Sequence, residues 1–205
     1  MDSEGLFSPE IALPSPEFTG GVSIEEALVM RRSERSYSDR QLSLEDVSQL
    51  LWAAQGVTSS MGFRTAPSAG ALYPLEIYLV AGNVRGLDPG VYRYVPEGHS
   101  LVLTAEGDRR KELSEVSLSQ PQIKNAAADI VIAAEYSRTM IKYGDRGIRY
   151  AHIEVGFAAQ NVYLQAIPLG IGTCAVGAFY DDDVADDIGL QSSEKPLLIL
   201  PIGYV

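Results

Sequence analysis

The strongest constraint on the fold is a long helical pattern in the second half of the chain, from about Ile148 to Ile167. Its apolar residues recur every three or four positions, as on one face of an α-helix. Gly156, Ala158 and Ala159 place small side chains on neighbouring turns, which lets another backbone approach closely. We therefore predict a central helix here, and we expect it to form part of a subunit interface.

The rest of the chain mixes short helix and strand patterns. Ser23 followed by Glu26 is typical of a capping box and predicts a helix through about Met30. Ser43 starts a second helix that we expect to end at Gly56. Strands are predicted at residues 77–81, 91–95, 101–103, 130–134 and 197–202, and two more helices at 108–118 and 181–188. Residues 173–179 are predicted to form another strand or an extended turn.

These elements do not follow the regular βαβ repeat of a doubly wound sheet, and no G-x-G-x-x-G motif follows a strand, which disfavours a Rossmann site. We predict the α+β class, with a mostly antiparallel central sheet flanked by helices. Residues 1–22 contain three prolines and a Gly-Gly pair, and are predicted to form an extended N-terminal arm, which could either wrap over a partner subunit or fray. Residues 23–205 are predicted to form a single domain.

The chain is acidic, with a net charge of -11 over 205 residues, so a broad nucleic-acid-binding face is not expected. No apolar run approaches the roughly 18 residues of a membrane span, and the acidic start is unlike a signal peptide. The single cysteine, Cys174, is expected to be a buried packing thiol, which favours a cytoplasmic protein. With only two histidines, His99 and His152, no metal site is predicted.

Positive charge concentrates in one place, which we call the arginine segment (residues 31–37, RRSERSY). Guanidinium groups match phosphate oxygens, and a serine hydroxyl adds a short donor. In an acidic chain such a cluster suits one phosphate group. The alternative is a solvated helix end whose arginines interact favourably with the helix dipole.

A second run of interest is the PSAGALYP loop (residues 67–74). Its small side chains would let a flat ligand lie against the backbone, where N–H groups can bond heteroatoms. Tyr73 could stack on such a ligand or cover its edge. Taken alone, the run is more typical of an ordinary loop.

Together, and in this order, the two motifs resemble those of the nitroreductase family of flavoproteins, and most closely its SagB-type branch, which includes dehydrogenases of azoline rings in modified peptides. Further similar runs follow at residues 142–150, 152–156, 170–179 and 201–203, so the resemblance covers about residues 23–205. Each run is weak evidence alone, whereas the ordered set is specific.

The resemblance implies FMN bound at the interface of an intertwined homodimer with a nitroreductase-like fold. Arg31, Arg32, Ser33 and Arg35 would hold the phosphate and ribityl chain. The other subunit would line the same flavin through Pro67, Ser68, Ala69, Gly70, Ala71 and Leu72. Val176 and Gly177 would lie by the ring, where a backbone N–H commonly faces flavin N5, and Gln120 is placed near the ring as well.

The resemblance also suggests the reaction. The main hypothesis is two-electron transfer, as hydride through N5, between NAD(P)H and a small organic acceptor. One alternative is oxidation of azoline-like rings in peptides, for which Lys142 and Tyr143 match a Lys-Tyr pair assigned to proton handling, although the pair could also be a plain surface feature. Another alternative is a flavin-binding protein without turnover.

Two departures from the family pattern bear on these hypotheses. Ala71 and Tyr73 stand where many nitroreductases carry asparagine and glutamine, which matches the SagB-type branch. The family also often places a basic residue after the last strand, whereas the sequence here ends at Val205. We expect that phosphate contact either to be absent or to be replaced, for example by another arginine.

Overall fold

The computed structural model describes residues 10–205, which form one seven-stranded sheet with helices on both faces. The strands are β1 (Glu10–Ala12), β2 (Leu75–Ala81), β3 (Gly90–Val95), β4 (Ser100–Glu106), β5 (Ala128–Ala134), β6 (Ile171–Thr173) and β7 (Lys195–Tyr204). The helices are α1 (Ile24–Met30), α2 (Leu44–Gln55), α3 (Arg110–Val116), α4 (Pro121–Asn125), α5 (Ser137–Tyr143), α6 (Arg146–Leu169) and α7 (Asp181–Ile188).

The sheet order is β1-β4-β3-β2-β5-β7-β6, and every pairing is antiparallel. The predicted α+β class with an antiparallel central sheet is therefore confirmed. The connections vary in kind, since β3 and β4 form a hairpin whereas the long helix α6 lies between β5 and β6. This explains why no regular βαβ repeat is visible in the sequence.

The two central strands, β2 and β5, are buried along their whole length. Side chains alternate between the two faces of the sheet. Ile77 and Leu79 belong to the core cluster that contains the buried residues of α2 and α6, whereas Tyr78 and Val80 belong to the cluster on the α3 and α7 side. Burial on both faces is the reason that these strands read as continuous apolar runs.

The predicted central helix is α6, which spans 24 residues and extends slightly beyond the predicted ends. It ends at Gly170, whose left-handed backbone closes the last turn. Near its start, a Cβ on Gly147 would lie 2.7 Å from the backbone N of Met140, so only glycine lets α5 pack this closely on α6. No helix within residues 10–205 combines the length and apolarity needed to cross a bilayer.

The N-terminal arm is extended where it is described, and it is attached to the domain. Glu10–Ala12 forms an edge strand on β4, and Leu13 is buried in the main core cluster. Ser48 Oγ donates a 2.6 Å hydrogen bond to the carbonyl of Pro14, and His99 Nε2 lies 2.9 Å from the same oxygen. The predicted arm also includes residues 1–9, which lie outside the described residues.

Local differences from the predicted elements are confined to short pieces. Helices α4 and α5, of five and seven residues, were not predicted because neither is long enough to show a helical period. Of residues 173–179, which were predicted as a strand or an extended turn, only Thr173 lies in a strand, because β6 spans Ile171–Thr173. The chain then forms an irregular turn (residues 174–178, the 174–178 turn), whose Val176 makes one isolated bridge to Ile199.

Candidate functional site

The arginine segment begins where α1 ends, at Arg31, and runs beside the edge strand β6 and the end of β7. The backbone N of Glu34 donates to the carbonyl of Thr173 at 2.9 Å, and Ser38 N donates to the carbonyl of Tyr204 at 2.8 Å. The segment is therefore fixed at two points of the sheet. Its path over the sheet between those points is set by two glycines.

Gly172 and Gly203 are paired across β6 and β7, so they leave a bare patch on one face of the sheet. A Cβ on Gly172 would lie 2.7 Å from Glu34 Cβ. A Cβ on Gly203 would lie 2.9 Å from the Cβ and Cγ atoms of Tyr37. No side chain can occupy either position unless the arginine segment moves away from the sheet.

The guanidinium groups of the arginine segment are unpaired within residues 10–205, since Arg31, Arg32 and Arg35 form no ion pair with any described carboxylate. Arg32 and Arg35 are exposed, and Arg31 is half-buried. Arg32 also caps α1, because its Nη1 donates to the carbonyl of Val29 at 2.9 Å. Unpaired cations this close together in an acidic chain are suited to bind an anion.

Tyr163, on α6, joins the arginine segment to the 174–178 turn. Its hydroxyl accepts a 2.7 Å hydrogen bond from the backbone N of Ala175 and lies 3.2 Å from Ser33 Oγ. The Arg31 guanidinium lies over its ring, 5.3 Å from the centroid. The structure thus brings together two of the predicted site segments, the arginine segment and the 174–178 turn.

Within the 174–178 turn, Val176 and Gly177, which were predicted to lie by the flavin ring, differ in burial and in backbone hydrogen bonding. The N–H and C=O of Val176 both bond to Ile199, each at 2.9 Å, and the Val176 side chain is buried. Gly177 is exposed, its N–H has no acceptor among residues 10–205, and a Cβ built on it would meet nothing within 4 Å. Of these two residues, Gly177 is therefore the one whose amide is free.

Gln120 lies behind the same turn. Its Nε2 donates to the carbonyls of Ala178 and Ser117, both at 2.9 Å. Its side-chain amide thus holds the residue that follows Gly177.

The PSAGALYP loop takes a tight, partly left-handed path. Gly70, Ala71 and Tyr73 have φ values of 65°, 54° and 44°, and Ser68 Oγ accepts from the backbone N of Tyr73 at 2.8 Å. The loop is tied to α6 through Glu154, whose Oε1 accepts from the backbone N of Ala69 at 2.8 Å. Gly70 adopts this left-handed backbone without steric cost, whereas Ala71 and Tyr73 hold it against a steric penalty.

Glu154 is buried, and its Oε2 has no hydrogen-bond partner among the described residues. Burial raises the pKa of Glu154, and the Ala69 N–H opposes that shift because it favours the carboxylate. Neither Glu154 nor Tyr163 was predicted as a site residue. In the sequence, each is a single polar side chain in a helix whose other buried residues are apolar or glycine.

Lys142 and Tyr143, at the end of α5, lie against the PSAGALYP loop. A Cβ on Gly70 would be 2.9 Å from Tyr143 Oη and 3.0 Å from Lys142 Nζ. The Tyr143 ring packs edge-on against Tyr150 of α6, with centroids 5.0 Å apart. The structure therefore groups the Lys-Tyr pair with the PSAGALYP loop.

The two groups of site residues meet opposite sides of α6. The arginine segment contacts the helix at Tyr163, and the PSAGALYP loop contacts it at Glu154, nine residues earlier. At about 100° and about 1.5 Å per residue, these positions are half a turn apart around the axis and ~13 Å apart along it. Within one chain, the helix lies between the two motifs.

Two other predictions concern the surroundings of the site. Cys174 is buried, as expected, with its Sγ 4.0 Å from the hydroxyl of Tyr37, and burial raises the pKa of the thiol. Residues 10–205 contain no group of three histidine, cysteine or acidic side chains arranged to hold a metal ion.

Comparison with known proteins identifies the family. The model of the nitroreductase family matches residues 28–204 of the chain. The chain belongs to this family of oxidoreductases, whose members generally use FMN.

Two relatives and one solved structure illustrate the similarity. MJ1384 of Methanocaldococcus jannaschii, named as a nitroreductase, is 47% identical over 194 residues, which are 95% of this chain and 96% of that protein. The microcin B17-processing protein McbC of Escherichia coli is 29% identical over 69% of this chain and 54% of its own length. A crystal structure of a nitroreductase-family protein from Ralstonia eutropha has a TM-score of 0.84 at 29% identity, covering 98% of this chain and 91% of that one.

Proposed function

We propose that the chain is an FMN-dependent oxidoreductase that moves two electrons between NAD(P)H and a small organic acceptor. The observation that carries the proposal is the junction at Tyr163. There, a cluster of unpaired arginines is connected by hydrogen bonds to a turn with a free backbone amide. These are the donors that the two ends of FMN require.

The residues of this junction have the right chemistry for FMN. Arg31, Arg32 and Arg35 would bind the phosphate, and Ser33 would donate to the phosphate or ribityl oxygens. The bare, exposed Gly177 leaves room for a flat ring and offers its N–H to a ring heteroatom. Bound FMN supplies hydride transfer at N5, and the protein supplies its position and electrostatic surroundings.

We further propose that the protein acts as a homodimer, in which the PSAGALYP loop of one chain lines the FMN held by the other. The opposite faces of α6 support this, because one chain cannot bring its own loop to its own arginine segment around the helix. Exposed apolar side chains support it too. Ile153 and Phe157 of α6 are 48% and 44% exposed, Val29 of α1 is 71% exposed, and Gly156 offers a bare spot between them.

The proposed binding of the FMN phosphate by the arginine segment is tested by replacing two of its arginines, one at a time. We expect Arg31→Ala and Arg35→Ala each to raise the Kd for FMN roughly 10- to 100-fold, because each loses a charge-assisted bond of about 1.5–3 kcal/mol. The Kd for riboflavin, which has no phosphate, should change little. Fluorescence titration of the apoprotein with both ligands measures these values.

Arg85→Ala is the matched control, since this exposed arginine lies outside the site. Equal weakening of FMN and riboflavin would place the arginines elsewhere than at the phosphate. Failure of the wild-type protein to take up FMN, or of NADH and NADPH to bleach the bound flavin in stopped-flow mixing, would contradict the proposed function itself.

A second candidate function is oxidation of azoline-like rings in peptides. The observation that favours it is the contact of the Lys142 amine and the Tyr143 hydroxyl with Gly70, which places both groups beside the loop proposed to line the flavin. Ring oxidation would send a hydride to the bound flavin and a proton to a base, and either group could accept that proton.

For this second function we expect Lys142→Ala to lower the rate of oxidation of a thiazoline-containing model peptide by about 10²–10⁴-fold, the usual contribution of a general base. FMN affinity and NAD(P)H oxidation should be unchanged. Lys111→Ala, which changes an exposed lysine of α3, is the control. A wild-type protein that oxidises NAD(P)H and leaves the thiazoline untouched would exclude this function and leave the first.

The cytoplasm is the compartment we propose. Cys174 is the only cysteine in the chain, and a buried thiol with no disulfide partner is consistent with a reducing environment.

A further inference from the structure

Tyr163 has contacts that neither the family assignment nor the proposed reaction explains. Its side chain is 8% exposed, its ring packs in the main core cluster, and its hydroxyl reaches both Ser33 and Ala175. These two residues belong to segments that are 142 positions apart in the sequence. Each segment serves a different end of the proposed flavin.

The direction of the hydrogen bonds follows from the donor inventory of a hydroxyl, which has one proton and two lone pairs. Tyr163 Oη accepts from the Ala175 N–H, so its own proton remains free. Ser33 must donate to an anion if it binds one, and it then has only a lone pair to offer to Tyr163. The chain of donors therefore runs from Ala175 N–H through the Tyr163 hydroxyl to the Ser33 hydroxyl, and from there to the ligand.

We infer that Tyr163 is a positioning residue that couples the phosphate end of the FMN site to its ring end, by orienting the Ser33 hydroxyl outward and by fixing Ala175 two residues before the free amide of Gly177. This inference rests on the proposed function. It adds a residue that would not touch the flavin and that controls two groups that would. Hydrogen bonds in such a chain polarise and strengthen one another.

Tyr163→Phe tests the inference with little disturbance of the core. Phenylalanine keeps the ring, its packing and its contact with the Arg31 guanidinium, and removes only the hydroxyl. Two hydrogen bonds are lost, so we expect the Kd for FMN to rise about 10-fold. The Kd for riboflavin should rise less, because riboflavin cannot use the Ser33 end.

A double-mutant cycle isolates the coupling. If Ser33 acts through Tyr163, the Ser33→Ala/Tyr163→Phe variant should bind FMN no more weakly than the weaker of the two single variants. Tyr92→Phe is the control for a lost buried hydroxyl. Tyr92 Oη donates to the backbone carbonyl of Asp88 at 2.8 Å, and its strand β3 is separated from β7 and β6 by β2 and β5. This control should lower the melting temperature and leave the Kd for FMN unchanged.

The outcomes separate the inference from the function on which it rests. If the wild-type protein binds FMN and Tyr163→Phe binds it within twofold as tightly, the inference is wrong and the proposed function stands. Equal weakening of FMN and riboflavin together with an additive cycle would also overturn it, since Tyr163 would then support the fold alone. A folded wild-type protein that binds no FMN would contradict both the inference about Tyr163 and the proposed function.

Discussion

Gly203→Val is expected to raise the Kd for FMN by about 100-fold or more while the protein remains folded. A Cβ at this position would lie 2.9 Å from the Tyr37 side chain, so valine must push the arginine segment off the sheet. The loss of two charge-assisted phosphate contacts at about 1.5–3 kcal/mol each accounts for an effect of this size. Valine itself is well tolerated in a β-strand, which limits the damage to the fold.

The measurements are an FMN titration and a thermal melt of the apoprotein. Gly21→Val is the matched control, because a Cβ on Gly21 would meet nothing within 4 Å. Gly203→Ala should give an intermediate effect, since alanine displaces Tyr37 less than valine does. Normal FMN affinity in a folded Gly203→Val protein would show that close packing of the arginine segment on the sheet is not needed for FMN binding.

The second large effect is expected from Phe157→Glu, which should convert the proposed dimer into a monomer. Phe157 is an exposed apolar side chain on α6, beside the bare Gly156. A glutamate there would be buried without a partner in the dimer, at a cost of several kcal/mol, so the dimer Kd should rise at least ~100-fold. Sedimentation velocity over a concentration series measures it.

FMN affinity should fall together with dimerisation, because the monomer would lack the PSAGALYP loop of its partner. Leu118→Glu is the control, since Leu118 is exposed to a similar degree, at 53%, and lies outside the α1 and α6 surface. A Phe157→Glu protein that is monomeric and still binds FMN normally would show that each chain builds a complete site. A variant that remains dimeric would place the interface elsewhere.

The sequence predicts the elements that have a clear hydrophobic periodicity, whereas helices of only a few residues cannot be predicted from it. The α6 pattern extends over five turns or more, so its existence and place in the core are confirmed by the structure. Helix α5 has only seven residues, so Lys142 could not be assigned to a helix in advance. The sequence does not decide between a strand and an extended turn at residues 173–179, because Cys174 to Ala178 are apolar or small, as in a strand, but do not pair regularly.

Whether a site residue could be predicted also depends on how strong its sequence pattern is. Motifs such as the arginine segment are recognisable because several chemically suited residues stand close in sequence. Tyr163 and Glu154 are single polar residues in a core helix, and their partners are fixed only by the tertiary fold. Val176 and Gly177 are adjacent in the sequence, and only the strand pairing with Ile199 shows which of the two amides is free.

The position of α6 between the two motifs has a genetic consequence. If each flavin takes the arginine segment of one chain and the loop of the other, damage to the two motifs affects different sites in a mixed dimer. A chain altered at Gly203 and a chain altered at Gly70 would together make one site with both defects and one with none. Alleles of the two classes would therefore complement each other in a cell that expresses both, whereas two alleles of the same class would not.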